Sequence, residues 1–317
     1  MTDGRLFTRT ELLGWSGTRP ERDRSLLRPR RNVYLPGGEV PQDGRDRYLL
    51  LIRAAHRTLT GDRIYSHESA TAVLGLPSLF GWPADVHLIC ERRSGGRSQL
   101  DVVRHCVGLE HVRPVLVDGM LVTSPGRTAF DIALTRSFEE AVVVADAAFR
   151  LYPDSRREFA ELVDAYGRRR GFQKAADVLA FADPRSGSAG ESWSRTEMYR
   201  LGFARPDLQV LVTTDGKDEF GDFGWPISRS LGEFDGEVKY REDRYRQGGD
   251  AVDVVIREKN RENRMRVRWP NIGRWDYSDI RRGRLAGILI AARVPRYTDW
   301  AGRRPSVARY SSPSRGG

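Results

Sequence analysis

Cysteine is nearly missing from this chain: Cys90 and Cys106 are the only two in 317 residues. Two thiols cannot build a disulfide framework or a four-cysteine zinc site, and in a reducing compartment they read as small buried hydrophobes. Histidine stops early. His56, His67, His87, His105 and His111 all precede residue 112, so no imidazole base is available to chemistry in the C-terminal half. Lysine is confined to Lys174, Lys217, Lys239 and Lys259 within 53 basic residues. The longest apolar stretch, near Leu285 to Ala292, is far short of the ~20 residues that span a bilayer. The N-terminal MTDGRLFTRT lacks the charged-then-apolar pattern of a signal peptide. These absences predict a cytoplasmic protein with no membrane partner.

What is present begins with charge. The net charge is +10. From Arg257 to Gly317 there are 16 basic and 5 acidic residues, so the excess positive charge sits in the last fifth of the chain. A basic segment of this kind suits a phosphate-bearing partner. Arg261, Arg264, Arg266 and Arg268 are the expected nucleic-acid contacts. Residues 296–317 read as a basic disordered tail, which on its own is often merely solvated.

Pattern along the chain divides it at ADPRSGSAGES, residues 182–192, whose Pro, Gly and Ser content predicts a linker. Ser188 and Glu191 there have capping-box spacing. The expected units are 1–183, a nuclease-like domain at 184–295, and the tail. Residues 1–40 predict a degenerate winged-helix-like module: a helix over Arg9 to Leu13, then a basic ribbon at RPRRNVYLPGG. Gly14, Gly17 and Pro20 stand where a recognition helix would lie. A mixed α/β middle region follows, with strands near residues 86–90, 100–106, 113–117 and 120–123, a hairpin at Asp118-Gly119, and a helix over Phe138 to Leu151. Past residue 190 the order is helix, three strands, a helix from about Asp250 to Arg264, a strand near Arg266 to Trp269, and a helix from Ser278 to Ala292. The fold class is therefore α+β or α/β, ending in an αβββαβ domain.

The chemistry-bearing segment is LGEFDGEVKY, residues 231–240. Alternation puts Glu233, Asp235, Glu237 and Lys239 on one face of an extended strand, with Asp222 in the preceding strand-like run. Carboxylates that hold Mg²⁺ or Mn²⁺ and a nearby ammonium are the groups needed to cleave a phosphodiester. Asp222, Glu233 and Asp235 are the expected metal ligands, and Lys239 completes the catalytic set. A solvated edge strand making ordinary cross-strand pairs has the same pattern, and periodicity does not choose between the two.

Two resemblances follow from these residues. Asp222, Glu233-Phe234-Asp235-Gly236 and Lys239 resemble the PD-(D/E)XK nuclease superfamily, in its branch similar to very-short-patch-repair endonucleases and with a restriction-endonuclease-like fold. The alternative register Glu237-Val238-Lys239 fits the superfamily triplet literally, and Glu191 would match an acid that some members contribute from the first helix. In the N-terminal half, Arg31-Asn32-Val33-Tyr34, Ser66-His67-Glu68-Ser69-Ala70, Leu74-Gly75-Leu76-Pro77, Val86-His87-Leu88 and the run from Val122 to Asp131 resemble AbiEi-type antitoxins, common in actinobacterial genomes. Those proteins usually show glycine at the Asn32 position. Together the resemblances imply a DNA-associated protein with a Mg²⁺- or Mn²⁺-dependent endonuclease-like domain and a cognate toxin as partner. The other reading is a non-catalytic antitoxin or transcriptional regulator.

Overall fold

The computed structural model describes residues 6–16, 19–61, 63–91, 101–107, 109–167, 170–214, 216–236 and 261–296. It is a mixed α+β protein with three sheets among those residues. The chain divides into two compact units, one formed by 1–135 with 152–176 and the other by 136–151 with 177–317. No helix among the described residues is long and apolar enough to cross a membrane.

The first unit opens with β1 (Phe7–Thr8), α1 (Arg9–Ser16), β2 (Leu26–Arg30) and β3 (Val33–Pro36), whose strands pair in the order β1-β3-β2. Where a second helix would lie there is a single 3-10 turn at Pro20–Arg22. Asn32 turns the β2–β3 ribbon at φ 65°, a left-handed conformation that Asn tolerates better than most residues. After α2 (Gly44–Thr58) come β4 (Ile64–Tyr65), α3 (His67–Val73), β5 (Val86–Ile89), β6 (Val102–His105), β7 (Pro114–Val117) and β8 (Met120–Thr123), giving a five-stranded sheet in the order β6-β5-β4-β8-β7. Asp118 and Gly119 both have positive φ, so the predicted hairpin is the primed turn that matches strand twist. α4 (Pro125–Thr135) packs on α6 (Ser155–Tyr166). Arg127 is completely buried and its Nε donates to Asp131 Oδ1 at 2.8 Å, one turn along the same helix. Burial pushes the Asp131 carboxyl up to about 6, against the pull of Arg127.

The second unit contains α5 (Phe138–Leu151), and α7 (Phe172–Phe181) runs across the division between the units. α8 (Ala189–Arg200) is followed by β9 (Asp207–Thr214), β10 (Lys217–Trp225), β11 (Ser230–Phe234), a helix α9 over 261–268, β12 (Asn271–Trp275), α10 (Tyr277–Arg281) and α11 (Leu285–Ala291). The sheet order is β12-β11-β10-β9, with β12 parallel to β11 and the other pairs antiparallel. One face carries Val212 and Leu231 against Met265 of α9. The other carries Phe223 stacked on Trp275 at 5.4 Å, with the Trp275 Nε1 donating to Ser194 Oγ of α8 at 2.7 Å. Helices therefore cover both faces, and the apolar residues on each are what bring them there. Gly190 is the point of closest approach: a Cβ built on it would lie 1.9 Å from the Phe234 ring. Trp193, Phe203, Phe223, Trp225 and Phe234 are buried in this unit.

Several expectations change in this unit. Residues 182–192 are bound into it: Asp183 and Ser186 are buried, and the Asp183 amide donates to Asp146 Oδ1 at 2.7 Å. α5, expected with the N-terminal region, belongs here because Arg195 Nη1 reaches Asp146 Oδ2 at 2.7 Å and locks α5 to α8. The strand predicted near Arg266 to Trp269 is helix through 268; Met265 and Trp269, four residues apart, face the same apolar cluster. The strand comes later, at Asn271–Trp275. Trp275 is core. The predicted helix from Ser278 to Ala292 breaks at Gly283, whose φ of 70° stops helical propagation. The tail from 297 onward lies outside the described residues.

Candidate functional site

The site is built from one rung of the four-stranded sheet. The β10–β11 ladder pairs Phe223 with Gly232, so one step further Asp222 stands opposite Glu233. Glu233 in turn pairs with Arg274 of β12. On the other side, the β9–β10 ladder pairs Val210 with Gly221 and Leu208 with Phe223, leaving Gln209 beside Asp222. Glu233 and Arg274 thus share a rung on the face covered by α9, with Asp222 adjoining it from β10, while Gln209, at the position the β9–β10 ladder skips, turns its amide to Glu191 of α8. Gln209 has a left-handed backbone, φ 52°, which interrupts the regular alternation of β9. A non-glycine residue in that region costs about 1–3 kcal/mol and such strain gathers at functional sites.

Glu233 is 5% exposed and is gripped from two sides. Arg261 Nη2 of α9 donates to its Oε1 at 2.6 Å, and Arg274 Nη2 stands 2.6 Å from its Oε2. Burial raises the Glu233 carboxyl above its ordinary range; the two guanidiniums oppose that shift, and the Asp222 carboxylate adds to it. Asp222 Oδ2 accepts from the Phe234 amide at 2.8 Å, which turns the acid toward the end of β11. β11 ends at Phe234, so strand alternation does not set the direction of Asp235; its amide donates to the Trp275 carbonyl at 2.8 Å. Glu237 and Lys239, the remaining members of the predicted row, lie outside the described residues.

Glu191, in the first turn of α8, holds the Gln209 side chain of β9. Ser188 Oγ accepts from its amide at 3.2 Å and donates to Oε1 at 2.9 Å, so Ser188 is the N-cap of α8. Its Oε2 also accepts from the Gly187 amide at 2.7 Å and from Gln209 Nε2 at 3.0 Å. The helix-start role and the bond to Gln209 of β9 therefore coexist. Among the described residues, no three His, Cys, Asp or Glu side chains converge closely enough to hold a metal ion by themselves.

The predicted nucleic-acid contacts divide in the structure. Arg261 is engaged with Glu233, Arg264 with Glu219, and Arg266 with Glu262 at 2.6 Å, while Arg268 is exposed at the end of α9. Sequence reasoning missed Arg274 and Gln209. For Gln209 a signal existed: one amide interrupts the otherwise apolar run Leu208 to Val212. Arg274 gave none, because its segment has the pattern of a turn.

The fold and the rung define the class only as an α+β protein with a carboxylate pair on its central strands. No family model matches the sequence. Two uncharacterized proteins of Mycobacterium tuberculosis, MT2308 and Rv2248, are each 32% identical to this chain over 188 residues, covering 58% of it. The chain covers 64% of the length of those relatives. The crystal structure of RV2827C protein from Mycobacterium tuberculosis gives a TM-score of 0.37 at 18% identity, covering 55% of this chain and 71% of that one.

Proposed function

We propose that the second unit is a divalent-metal-dependent phosphodiesterase domain acting on nucleic acid, with DNA as the first substrate to test. The observation that carries this reading is the placement of Asp222 and Glu233 on one rung of adjacent central strands, with arginines at its edge. Two acids are a hard oxygen donor set of the kind Mg²⁺ and Mn²⁺ accept, and the mutual repulsion that Asp222 imposes on Glu233 is what a cation relieves. Asp222 and Glu233 would hold the ion, with water completing its shell, since the structure does not bring Asp235 into a three-acid group with them. A bound ion of this type lowers the pKa of water and neutralises a phosphoryl oxygen.

The protein's own groups then have separate tasks. The Phe234 amide fixes the Asp222 carboxylate, and the Glu191–Gln209 bond fixes the β9 edge beside it. Arg261 and Arg274 oppose the upward push of burial on the Glu233 carboxyl and would supply donors for substrate phosphate oxygens. Water activation falls to the carboxylates in this half of the chain, where histidine is absent.

A second reading, a non-catalytic antitoxin or transcriptional regulator, is favoured by one observation: Glu233 already has two cationic partners, which is a finished charge arrangement. A nuclease assay on several DNA and RNA substrates with Mg²⁺ or Mn²⁺, beside an Asp222→Ala control, separates the two. Metal-dependent cleavage lost in the control supports the enzyme. No cleavage, with calorimetry showing no metal affinity that Asp222→Asn or Glu233→Gln removes, supports the regulator.

A further inference from the structure

The first unit carries its two thiols side by side. β5 and β6 run parallel with Ile89 opposite His105, so the next rung sets Cys90 opposite Cys106. The Cys90 amide donates to the His105 carbonyl at 3.0 Å, carrying the ladder through that rung. The two Sγ atoms are 2.7 Å apart, and both residues are half-buried. Neighbouring strands lie about 4.8 Å apart, inside the ~4.4–6.8 Å that separates the Cα atoms of disulfide-bonded cysteines. Two cysteines placed only to fill a core have no need to share a rung or to reach solvent. The rung also adjoins an imidazole cluster: His105 stacks on His67 with centroids 3.5 Å apart, and its Nε2 lies 3.0 Å from His87 Nδ1.

We propose that Cys90 and Cys106 are a redox-active dithiol that closes to an intramolecular disulfide on exposure to a peroxide. One thiolate attacks a peroxide oxygen, the O–O bond breaks, and a sulfenic acid and one water result once the departing oxygen is protonated. The second thiolate attacks the sulfenic sulfur, the S–S bond forms, and the sulfenic oxygen leaves as a second water. Two thiols and one hydrogen peroxide thus give one disulfide and two waters, with sulfur oxidised and peroxide oxygen reduced. Because the partner sulfur is already in place, ring closure outruns further oxidation and capture by external thiols. The crosslink would tie β5 to β6 directly at the imidazole cluster.

The test treats the reduced full-length protein with hydrogen peroxide and follows thiol count, intact mass and a non-reducing peptide map. Both thiols should disappear together, the mass should fall by two hydrogens, and the map should join the Cys90 and Cys106 peptides, with full reversal by dithiothreitol. Thiols that stay reactive, products that gain oxygen, or a covalent dimer would overturn the proposal. In Cys90→Ser, Cys106 should gain oxygen instead; if that variant does not fold, the map of the unaltered protein decides.

Discussion

Asp146 and Glu233 are both carboxylates buried in the second unit, and both face arginine, yet their surroundings differ in kind. Asp146 is sealed. It takes the Arg195 guanidinium on one oxygen and the Asp183 amide on the other, while Arg195 also donates to Ser186 Oγ and the Phe181 carbonyl and lies over the Phe181 ring. Every partner of that pair is itself interior or backbone. Glu233 is gripped by Arg261 and Arg274, whose side chains keep 27% and 24% of their surface exposed and so can exchange a carboxylate for another anion at modest cost. The first arrangement joins two helices. The second leaves partly exposed cations beside Glu233, and that difference in access is why the proposed chemistry is assigned to Glu233 and not to Asp146.

The comparison can be broken first at its structural end. Asp146→Ala leaves the Arg195 charge buried without its carboxylate and should cost about 3–5 kcal/mol, visible as a drop in the denaturant midpoint. Acid should act next, through Asp183. Burial pushes its carboxyl up, but hydrogen bonds from the Arg185 side chain and amide, with the charge of Arg195, outweigh this and hold it at about 2. Its folded pKa is therefore depressed, so the stability it lends is complete above pH ~4 and is lost as pH falls toward 2. That contribution is about 2 kcal/mol, measurable by chemical unfolding across the window.

Glu233→Gln should destabilise less than Asp146→Ala, by about 1–2 kcal/mol, because its arginines can turn to water. A loss as large as that of Asp146→Ala would erase the distinction between the two sites. The smallest effect belongs to Arg266→Ala, whose pairing with Glu262 is a surface i,i+4 contact; stability should change by less than about 0.5 kcal/mol. Limited proteolysis sharpens the same picture from the backbone side. Residues 182–192 should resist cleavage, since Asp183 and Ser186 are held inside the unit that contains α5.

Local rules made part of this legible. The Ser188–Glu191 spacing marks the helix start where Ser188 caps α8, Asp118-Gly119 specifies a primed hairpin turn, and alternation around Asp222 and Glu233 places both acids on sheet strands. What stayed hidden depends on partners far along the chain. The Asp146–Arg195 pair spans 49 residues, and nothing near Asp146 announces that a buried cation will meet it. Arg274 enters the rung only because β12 pairs in parallel with β11, a crossover that composition does not encode. The linker expectation failed for a similar reason: Pro, Gly and Ser also supply turns and caps inside a core, and only tertiary contacts tell the two uses apart.

Gly190 sets a mechanical gauge for this architecture. With hydrogen as its side chain, α8 rests directly on the Phe234 ring, and Phe234 is the residue whose amide holds Asp222 while the neighbouring Glu191 holds Gln209. Any larger group at that position acts as a shim. It would lift the helix off the sheet and disturb both the Asp222–Phe234 and the Glu191–Gln209 contacts at once without replacing one of their polar side chains.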